Sequence, residues 1–340
     1  MKSRALVVPR AHGEETRRDL LDAGLLRTDL AIRAEGDTIV LPIVADSDPP
    51  ASWGQVTEHE FDPRPGEPLS DYRDLLSWPP EESRLLPRSF DIVGDIVLVR
   101  LPPELEARRE EIGRALLGFV PNARIVGWDR GVHGPERRRR IERMAGSGDW
   151  STRHRENGVE LDVDVERAYF SPRLAREHAR VAGEVATGDR VLDLCCGVGP
   201  FSVTIARDGR ARAIVAVDAN PAAIELLRKT LSRTAYGNRV TPVLDRVETF
   251  LPGRDPVERV ILNLPHEGIK YVSLVAQAVA PSGWLYYYEV VPRSEFGRRA
   301  DVIASILPQE PGWTVVPPHV VHPYSPTADL AAFVFERRSI

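Results

Sequence analysis

Hydrophobic and polar positions at the start of the chain are typical of a small α/β module. An apolar run at residues 5–8 predicts a strand, and the polar segment at residues 14–23 predicts a helix that Gly24 ends. Residues 34–37 predict a tight turn that leads into a second apolar strand. We therefore expect a compact first domain over residues 1–44.

A proline-rich stretch follows this module. Eight prolines lie between residues 46 and 87. Because proline lacks an amide hydrogen and fixes φ, such a density disfavours long helices and central strands. We interpret residues 45–87 as a linker with local extended structure.

The rest of the chain divides into two further regions. Two apolar runs that flank a helix predicted over residues 103–117 indicate a middle α+β domain over residues 88–168. From about residue 173 the pattern changes to regular strand–helix alternation, which predicts a doubly wound, largely parallel sheet. The fold class that we expect is α/β, with a Rossmann-like C-terminal domain over residues 169–340 preceded by two small α+β domains.

Five strands are predicted within the C-terminal alternation. They lie at residues 191–194, 213–218, 240–244, 259–264 and 284–291. A helix is expected over residues 268–280, and residues 313–321 and 330–337 are expected to form a closing hairpin.

Composition and charge are ordinary except for the basic residues. The chain has 340 residues, of which 42% are hydrophobic and 28% charged, and its net charge is −5; this profile excludes a wholly disordered or fibrous chain. Only three of its 45 basic residues are lysines, so arginine dominates. Arginines cluster just before and at the start of the C-terminal domain, at positions 137–140, 153, 155, 173, 176 and 180. A local basic pattern of this kind is compatible with nucleic-acid binding despite the acidic total.

The two cysteines, Cys195 and Cys196, are adjacent. They cannot form an ordinary structural disulfide with each other, and their spacing predicts no metal site. The chain also shows no signal-peptide pattern and no apolar run of the roughly 20 residues that span a bilayer. We expect a cytoplasmic protein without a membrane partner.

The strongest local pattern lies at the ends of the first predicted C-terminal strands. A strand that contains Asp193 is followed by a turn with Gly197 and Gly199, and the next strand ends at Asp218. Glycines let the backbone approach a ligand, and a carboxylate at the second strand can accept both ribose hydroxyls of a nucleoside. Because Ser202 stands where a dinucleotide motif needs a third glycine, NAD is disfavoured.

Together these positions resemble the class I S-adenosylmethionine methyltransferase layout, in which the cofactor lies along the carboxyl edge of the sheet. The positions that this resemblance assigns to the cofactor are Asp193, Cys196, Gly197, Gly199, Phe201, Asp218, Asn220, Asp245, Asn263 and Pro265. In methyltransferases that act on nitrogen, a polar residue followed by proline, here within Asn263-Leu264-Pro265, holds the acceptor nitrogen.

The ordered series of motifs resembles the archaeal and eukaryotic tRNA guanine-37 N1-methyltransferase family over nearly the whole chain. The segment from Tyr169 to Leu174, Glu177, the glycine turn, Asp218-Ala219-Asn220-Pro221 and Asn263-Leu264-Pro265 appear in the family's order. The first domain is similar to the family's tRNA-binding domain. The family has arginine where His178 stands here.

This resemblance implies particular roles. Methylation at N1 of guanine requires removal of a proton, and charge then moves to O6, so a base and a cation are needed. The resemblance implies Glu177 as general base, Arg137 as the cation at O6 and Asn263 as the group that orients the base. It implies Arg173 and Tyr169 as substrate contacts, and a monomer that binds the anticodon stem-loop and body of tRNA.

Other interpretations stay open. Glu177 lies at helical spacing from Arg173 and Arg180, which is compatible with a surface ion pair, and the arginines around Arg137 are compatible with a solvated face. A wyosine-pathway enzyme on the same nucleotide, either a C-methyltransferase or an aminocarboxypropyl transferase, is the nearest alternative function. A non-catalytic tRNA-binding protein is the alternative from a different class.

Overall fold

The structure, a computed structural model, describes residues 2–45, 47–62, 71–76, 78–133, 138–310 and 312–339. The chain divides into two compact units, Met1–Asp74 and Leu75–Ile340. None of the helices in the described parts combines the length and the apolarity that a bilayer crossing requires.

The first unit is a four-stranded antiparallel sheet with one helix. Its elements are β1 (Lys2–Pro9), α1 (Gly13–Asp22), β2 (Arg33–Glu35), β3 (Thr38–Pro42) and β4 (Gln55–Glu60), and the strand order is β2-β3-β1-β4. Leu6 and Val8 alternate on one face of β1 and pack with Leu20 of α1 and Leu41 of β3. Alternate positions of a strand share a face. The apolar face of β1 is therefore the face on which helix α1 packs.

The predicted boundary after residue 44 is corrected by β4. This strand pairs with β1 along the outer edge of the sheet, with Leu6 opposite Val56. The part of the predicted linker that ends at Asp74 therefore belongs to the first unit, and the rest belongs to the second. An edge strand tolerates prolines at its flanks because only one of its sides carries ladder hydrogen bonds. Proline density alone therefore could not separate a linker from an edge strand.

The second unit begins with a four-stranded sheet and a short hairpin. Its elements are α2 (Pro80–Ser83), β5 (Asp91–Val93), β6 (Ile96–Val99), α3 (Arg109–Phe119), β7 (Ile125–His133), β8 (Arg138–Gly146), β9 (Ser151–Glu156) and β10 (Val159–Asp164). The strand order is β5-β6-β7-β8, with β6 and β7 parallel across α3. The helix predicted from residue 103 begins as a 3-10 turn, Pro103–Arg108, before α3.

The C-terminal part is an eight-stranded sheet covered by helices. Its strands are β11 (Arg190–Leu194), β12 (Ala213–Asp218), β13 (Val240–Leu244), β14 (Val257–Leu262), β15 (Val279–Pro292), β16 (Trp313–Val315), β17 (His319–Pro323) and β18 (Ala328–Arg337). Its helices are α4 (Ala175–Glu184), α5 (Pro200–Asp208), α6 (Pro221–Leu231), α7 (Val247–Phe250), α8 (Val272–Gln277) and α9 (Phe296–Ile306).

The sheet confirms the predicted Rossmann-like architecture. Its order is β13-β12-β11-β14-β15-β18-β16, with β17 also paired to β18, and the first five strands are mutually parallel. The strand order reverses between β11 and β14, which is the place where open α/β sheets bind ligands. The first half of the predicted closing hairpin forms β16 and β17, which pair with β18, and the second half lies within β18.

The second unit has a hydrophobic core that crosses the predicted boundary at residue 168. One buried cluster includes Ile96 and Leu98 of the middle sheet, Leu161 of the hairpin, and Phe201 and Tyr288 of the C-terminal part. Because these side chains pack together, the middle and C-terminal regions form one compact unit rather than two. Helix α9, which the sequence pattern did not predict, covers the other face with Ile303.

Candidate active site

A cavity of about 1150 Å³ lies at the carboxyl ends of β11, β12, β13 and β14, at the point where the strand order reverses. Predicted site residues from all four strand ends line it: Cys196, Gly197, Asp218, Asn220, Asp245, Asn263 and Pro265. Tyr169 and Arg173 line it from the segment before α4. The topology therefore brings together most of the residues that the sequence assigned to one site.

The turn after β11 is a tight backbone cradle. Cys195, Gly197 and Gly199 have φ angles of 58°, 56° and 78°, in the left-handed region that favours glycine. A Cβ atom on Gly199 would lie 2.5 Å from a methyl carbon of Leu227. The Gly197 amide donates to Asp218 at 2.7 Å, which ties the turn to the end of β12.

Two carboxylates follow this turn along the edge of the sheet. Asp218 also accepts the Asn220 amide hydrogen at 2.8 Å, and Asn220 caps α6 through its side chain. Asp245 accepts hydrogen bonds from the Thr249 hydroxyl and from the Arg246 amide, and these lower the pKa of Asp245. Asp245 is thus held by donors of its own loop, and Asp218 by its own loop and by the turn after β11. Both carboxylates line the cavity that would receive the hydroxyl or amino groups of a ligand.

Three residues assigned to the cofactor lie beneath the turn instead of on the cavity wall. Asp193 is fully buried and accepts the Ser202 hydroxyl at 2.7 Å, and burial raises the pKa of Asp193 to about 7. Phe201 packs in the core, and the missing Cβ of Gly199 leaves room for the side chain of Leu227. These residues shape the turn from below, and their assignment to the cofactor stays a prediction.

Asn263 closes the cavity at the end of β14. Its side-chain oxygen is buried and has no hydrogen-bond partner among the described residues. The Pro265 carbonyl next to it accepts the Val290 amide hydrogen at 2.9 Å, which fixes the loop. A buried acceptor without a partner costs free energy, so this oxygen is suited to a donor that a ligand brings.

Arg139 is one of several basic residues that line the cavity. Its guanidinium donates to Asp129 at 2.6 Å and to the Phe170 carbonyl at 2.8 Å, and its central carbon lies 5.0 Å from the centre of the Tyr169 ring. Arg173 donates to Asp91 at 2.7 Å. The predicted cation Arg137 lies outside the described residues. Arg139 was missed because no feature of the sequence separates it from the other arginines of its cluster.

Glu177 lies in a buried network away from the lining of the cavity. Its carboxylate accepts Arg180 at 2.6 Å, the Tyr288 hydroxyl at 2.8 Å and His319 at 3.1 Å. Burial acts to raise the pKa of Glu177, but these donors outweigh it and lower the pKa to about 2. The role of general base that the resemblance implies stays a prediction, and this geometry counts against direct contact with a substrate.

His178, one position further along α4, does line the cavity. Its ring is 1% exposed, packs edge-on against Phe201 with centroids 4.5 Å apart, and lies 2.6 Å from the carboxylate of Glu156. The sequence showed His178 only as a departure from a family pattern. Its partner Glu156 is on another element, so no local motif could have linked them.

Comparisons with known protein families match three segments of the chain. Residues 5–51 match the tRNA methyltransferase 5 N-terminal domain, residues 72–149 the TYW2 N-terminal domain, and residues 152–304 the TRM5/TYW2 methyltransferase domain. The second and third matches meet at the end of the four-stranded middle sheet.

The individual relatives have two different named activities. The chain is 34% identical to the tRNA (guanine(37)-N(1))-methyltransferase Trm5b of Pyrococcus abyssi, over 86% of this chain and 85% of the relative. It is 26% identical to a tRNA(Phe) (4-demethylwyosine(37)-C(7)) aminocarboxypropyltransferase of Pyrococcus horikoshii, over 72% of this chain and 87% of the relative. Among solved structures, a complex of aTrm5 with tRNALeu has a TM-score of 0.80 at 31% identity and covers 98% of this chain and 99% of that chain.

Proposed function

The chain belongs to the Trm5 family of tRNA (guanine(37)-N(1))-methyltransferases, and we propose that it transfers a methyl group from S-adenosylmethionine to N1 of guanosine 37 of tRNA. The observation that carries this proposal is Asn263: its buried side-chain oxygen has no partner among the described residues and faces the site. The amino edge of guanine supplies the hydrogen-bond donors that such an acceptor requires.

The residues of the cavity fit the cofactor. S-adenosylmethionine, when bound, supplies an electrophilic methyl group. Gly197 offers a close backbone approach, and Asp218 and Asp245 offer carboxylates for ribose hydroxyls and for polar groups of the adenine end. His178 adds a polar ring on the side of the glycine turn.

The target base would enter beside Asn263 and Tyr169. Removal of the N1 proton leaves negative charge on O6, and a nearby guanidinium stabilises such charge. Arg137 remains the proposed cation. Buried Arg139 ties the start of β8 to Asp129 and Phe170. Glu177 remains the proposed base by resemblance alone.

The partner that we propose is tRNA, contacted at the anticodon stem-loop and body. An enzyme that modifies a base atom must take that base out of its stack, and a single-stranded anticodon loop lowers the free energy of doing so. The monomeric state and the cytoplasmic location expected from the sequence remain predictions.

One experiment tests the proposed function. The full chain is incubated with radiolabelled S-adenosylmethionine and unmodified tRNA that carries either G37 or A37, and the modified nucleoside is identified by mass spectrometry. We expect 1-methylguanosine with the G37 tRNA and no incorporation with the A37 tRNA. An aminocarboxypropyl adduct or a methylated wyosine precursor would replace this function by the wyosine alternative, and binding without modification would indicate a non-catalytic protein.

A further inference from the structure

The carboxylate of Glu156 holds His178 at the wall of the cavity. Glu156 is on β9 and His178 on α4, and the Oε1 oxygen of Glu156 lies 2.6 Å from Nδ1 of His178. Since a carboxylate can only accept, Nδ1 carries the proton of this bond. The second ring nitrogen, Nε2, is therefore the one left for the cavity that His178 lines.

Glu156 is a buried, ionised residue whose described contacts are with two histidines. It is 8% exposed, and its second oxygen lies 3.6 Å from Nε2 of His154 without a hydrogen-bond partner among the described residues. Burial acts to raise the pKa of Glu156, but the two imidazoles beside it lower the pKa to about 2. A buried charge of this kind is costly unless it is paired, so its presence next to the cavity needs a reason.

His154 completes the arrangement from the other side. Its Nδ1 accepts the Gly94 amide hydrogen at 3.2 Å, which leaves the proton on Nε2, directed at Glu156. The imidazole of His154 also packs against Phe170, with ring centroids 4.9 Å apart. Glu156 is thus fixed between two histidines, of which only His178 reaches the cavity.

We propose that Glu156 is the positioning residue for His178, and that it directs Nε2 of that ring, the acceptor nitrogen when Nδ1 carries the proton, at the ammonium group of the amino-acid end of S-adenosylmethionine. Asp218 and Asp245 line the cavity at the ends of β12 and β13, where they would repel the carboxylate of the cofactor. His178 lies instead on the side of the glycine turn, against Phe201 of α5. This inference rests on the proposed function, because it requires that cofactor.

The test is the binding of two cofactor forms to Glu156→Gln, measured by calorimetry without tRNA. Glutamine keeps the shape of the side chain and removes its charge. We expect S-adenosylmethionine to bind about tenfold more weakly, the size of effect that a hydrogen bond to a charged group has. The binding of 5′-methylthioadenosine, which lacks the amino-acid end, should change less than twofold. Glu160→Gln on the same hairpin, whose carboxylate pairs with Arg155 at the surface, is the matched control.

A double-mutant cycle shows whether Glu156 acts through His178. His178→Asn should weaken S-adenosylmethionine binding by a similar factor, and adding Glu156→Gln to it should cause no further loss. Independent, additive losses would overturn the inference, as would equal weakening of both cofactor forms. Glu156→Asp, which keeps the charge and shortens the reach, replaces Glu156→Gln if circular dichroism shows that the latter does not fold.

The outcomes separate this inference from the proposed function. Failure of the wild-type protein to bind S-adenosylmethionine would overturn the proposed function itself. Normal wild-type binding together with unchanged binding by Glu156→Gln would overturn only the role assigned to Glu156.

Discussion

Asp193 and Glu177, two buried carboxylates that the family pattern marks as important, have opposite environments. Asp193 accepts a single side-chain hydrogen bond, from Ser202, and burial raises its pKa to about 7. Glu177 is also buried, yet three donors lower its pKa to about 2. The sequence marks both residues by type and spacing. The number of donors and the charges around each carboxylate, which the sequence does not show, distinguish them.

The first prediction concerns the chemical role of Glu177. If the implied role of general base is right, Glu177→Gln should slow single-turnover methylation by roughly 10²–10⁴-fold, with the dissociation constant for S-adenosylmethionine nearly unchanged. Rapid-quench assays at saturating cofactor measure this step. Glu110→Gln, which removes an exposed carboxylate from α3 outside this network, should keep the wild-type rate. An unchanged rate for Glu177→Gln would assign Glu177 to the buried network alone.

The second prediction concerns the pH dependence of that network. Because the pKa of Glu177 is lowered from an ordinary 4.5 to about 2, its contribution to stability is present above pH 4.5 and is lost as the pH falls towards 2. The melting temperature of Glu177→Gln should therefore lie below that of the wild type at pH 6. The difference should shrink between pH 4.5 and the lowest pH at which both proteins stay folded. A difference independent of pH would mean that the charge of Glu177 does not stabilise the fold.

The third prediction tests the acidic edge of the cavity. Asp218→Ala removes the carboxylate that accepts the Gly197 and Asn220 amides and that we assign to the ribose. Calorimetry should show S-adenosylmethionine binding weakened by roughly 10- to 100-fold, as expected for hydrogen bonds to a charged group. Asp301→Ala, an exposed position on α9, is the control. Normal affinity in Asp218→Ala would contradict the ribose assignment.

At the scale of elements, the strands of the C-terminal sheet could be predicted because their apolar runs are long and bounded by turn residues. The site residues at strand ends, such as Asp218 and Asn263, followed from that prediction, since parallel strands place their carboxyl ends at one edge. Strand β4 was not predicted, because its exposed, polar sequence lacks the apolar alternation of a half-buried strand. The pairing of Glu156 with His178 joins two elements, and nothing local in either one indicates it.

The fourth prediction concerns the turn between β11 and α5. Gly199→Ala places a Cβ where φ is 78° and where Leu227 lies 2.5 Å away, which costs about 1–2 kcal/mol for the left-handed backbone and a similar amount for the overlap. We expect a lower melting temperature and weaker cofactor binding. Gly183→Ala on α4, where nothing lies within 4 Å of the added carbon, should instead leave stability unchanged or slightly raised. Equal behaviour of the two variants would show that the turn does not need its glycine.

At the scale of the whole molecule, the structure changes the interpretation of the arginine cluster. Several of the arginines that the sequence grouped as a basic surface are engaged in ion pairs: Arg139 with Asp129, Arg140 with Glu142, Arg155 with Glu160, Arg173 with Asp91, and Arg180 with Glu177 and Glu184. Arg139 is buried, and its ion pair with Asp129 is a contact within the fold. Sequence position therefore predicted where basic charge lies, but it could not predict how much of that charge the protein itself neutralises.

The last prediction follows from the division of the chain into two units. The first unit ends at Asp74 rather than at residue 44, because β4 is hydrogen-bonded to β1. A protein cut after residue 44 would therefore retain β4 without its partner strand.

Deletion of residues 1–74 should leave S-adenosylmethionine binding within about twofold of wild type, since every residue that lines the cavity lies in the second unit. It should weaken tRNA binding by about 100-fold, as expected when one of two linked binding modules is lost. Filter binding with tRNA and calorimetry with cofactor measure the two effects on one preparation, and circular dichroism establishes that the shortened protein is folded. Unchanged tRNA affinity in a folded, cofactor-binding protein would show that the first unit is not an RNA-binding module.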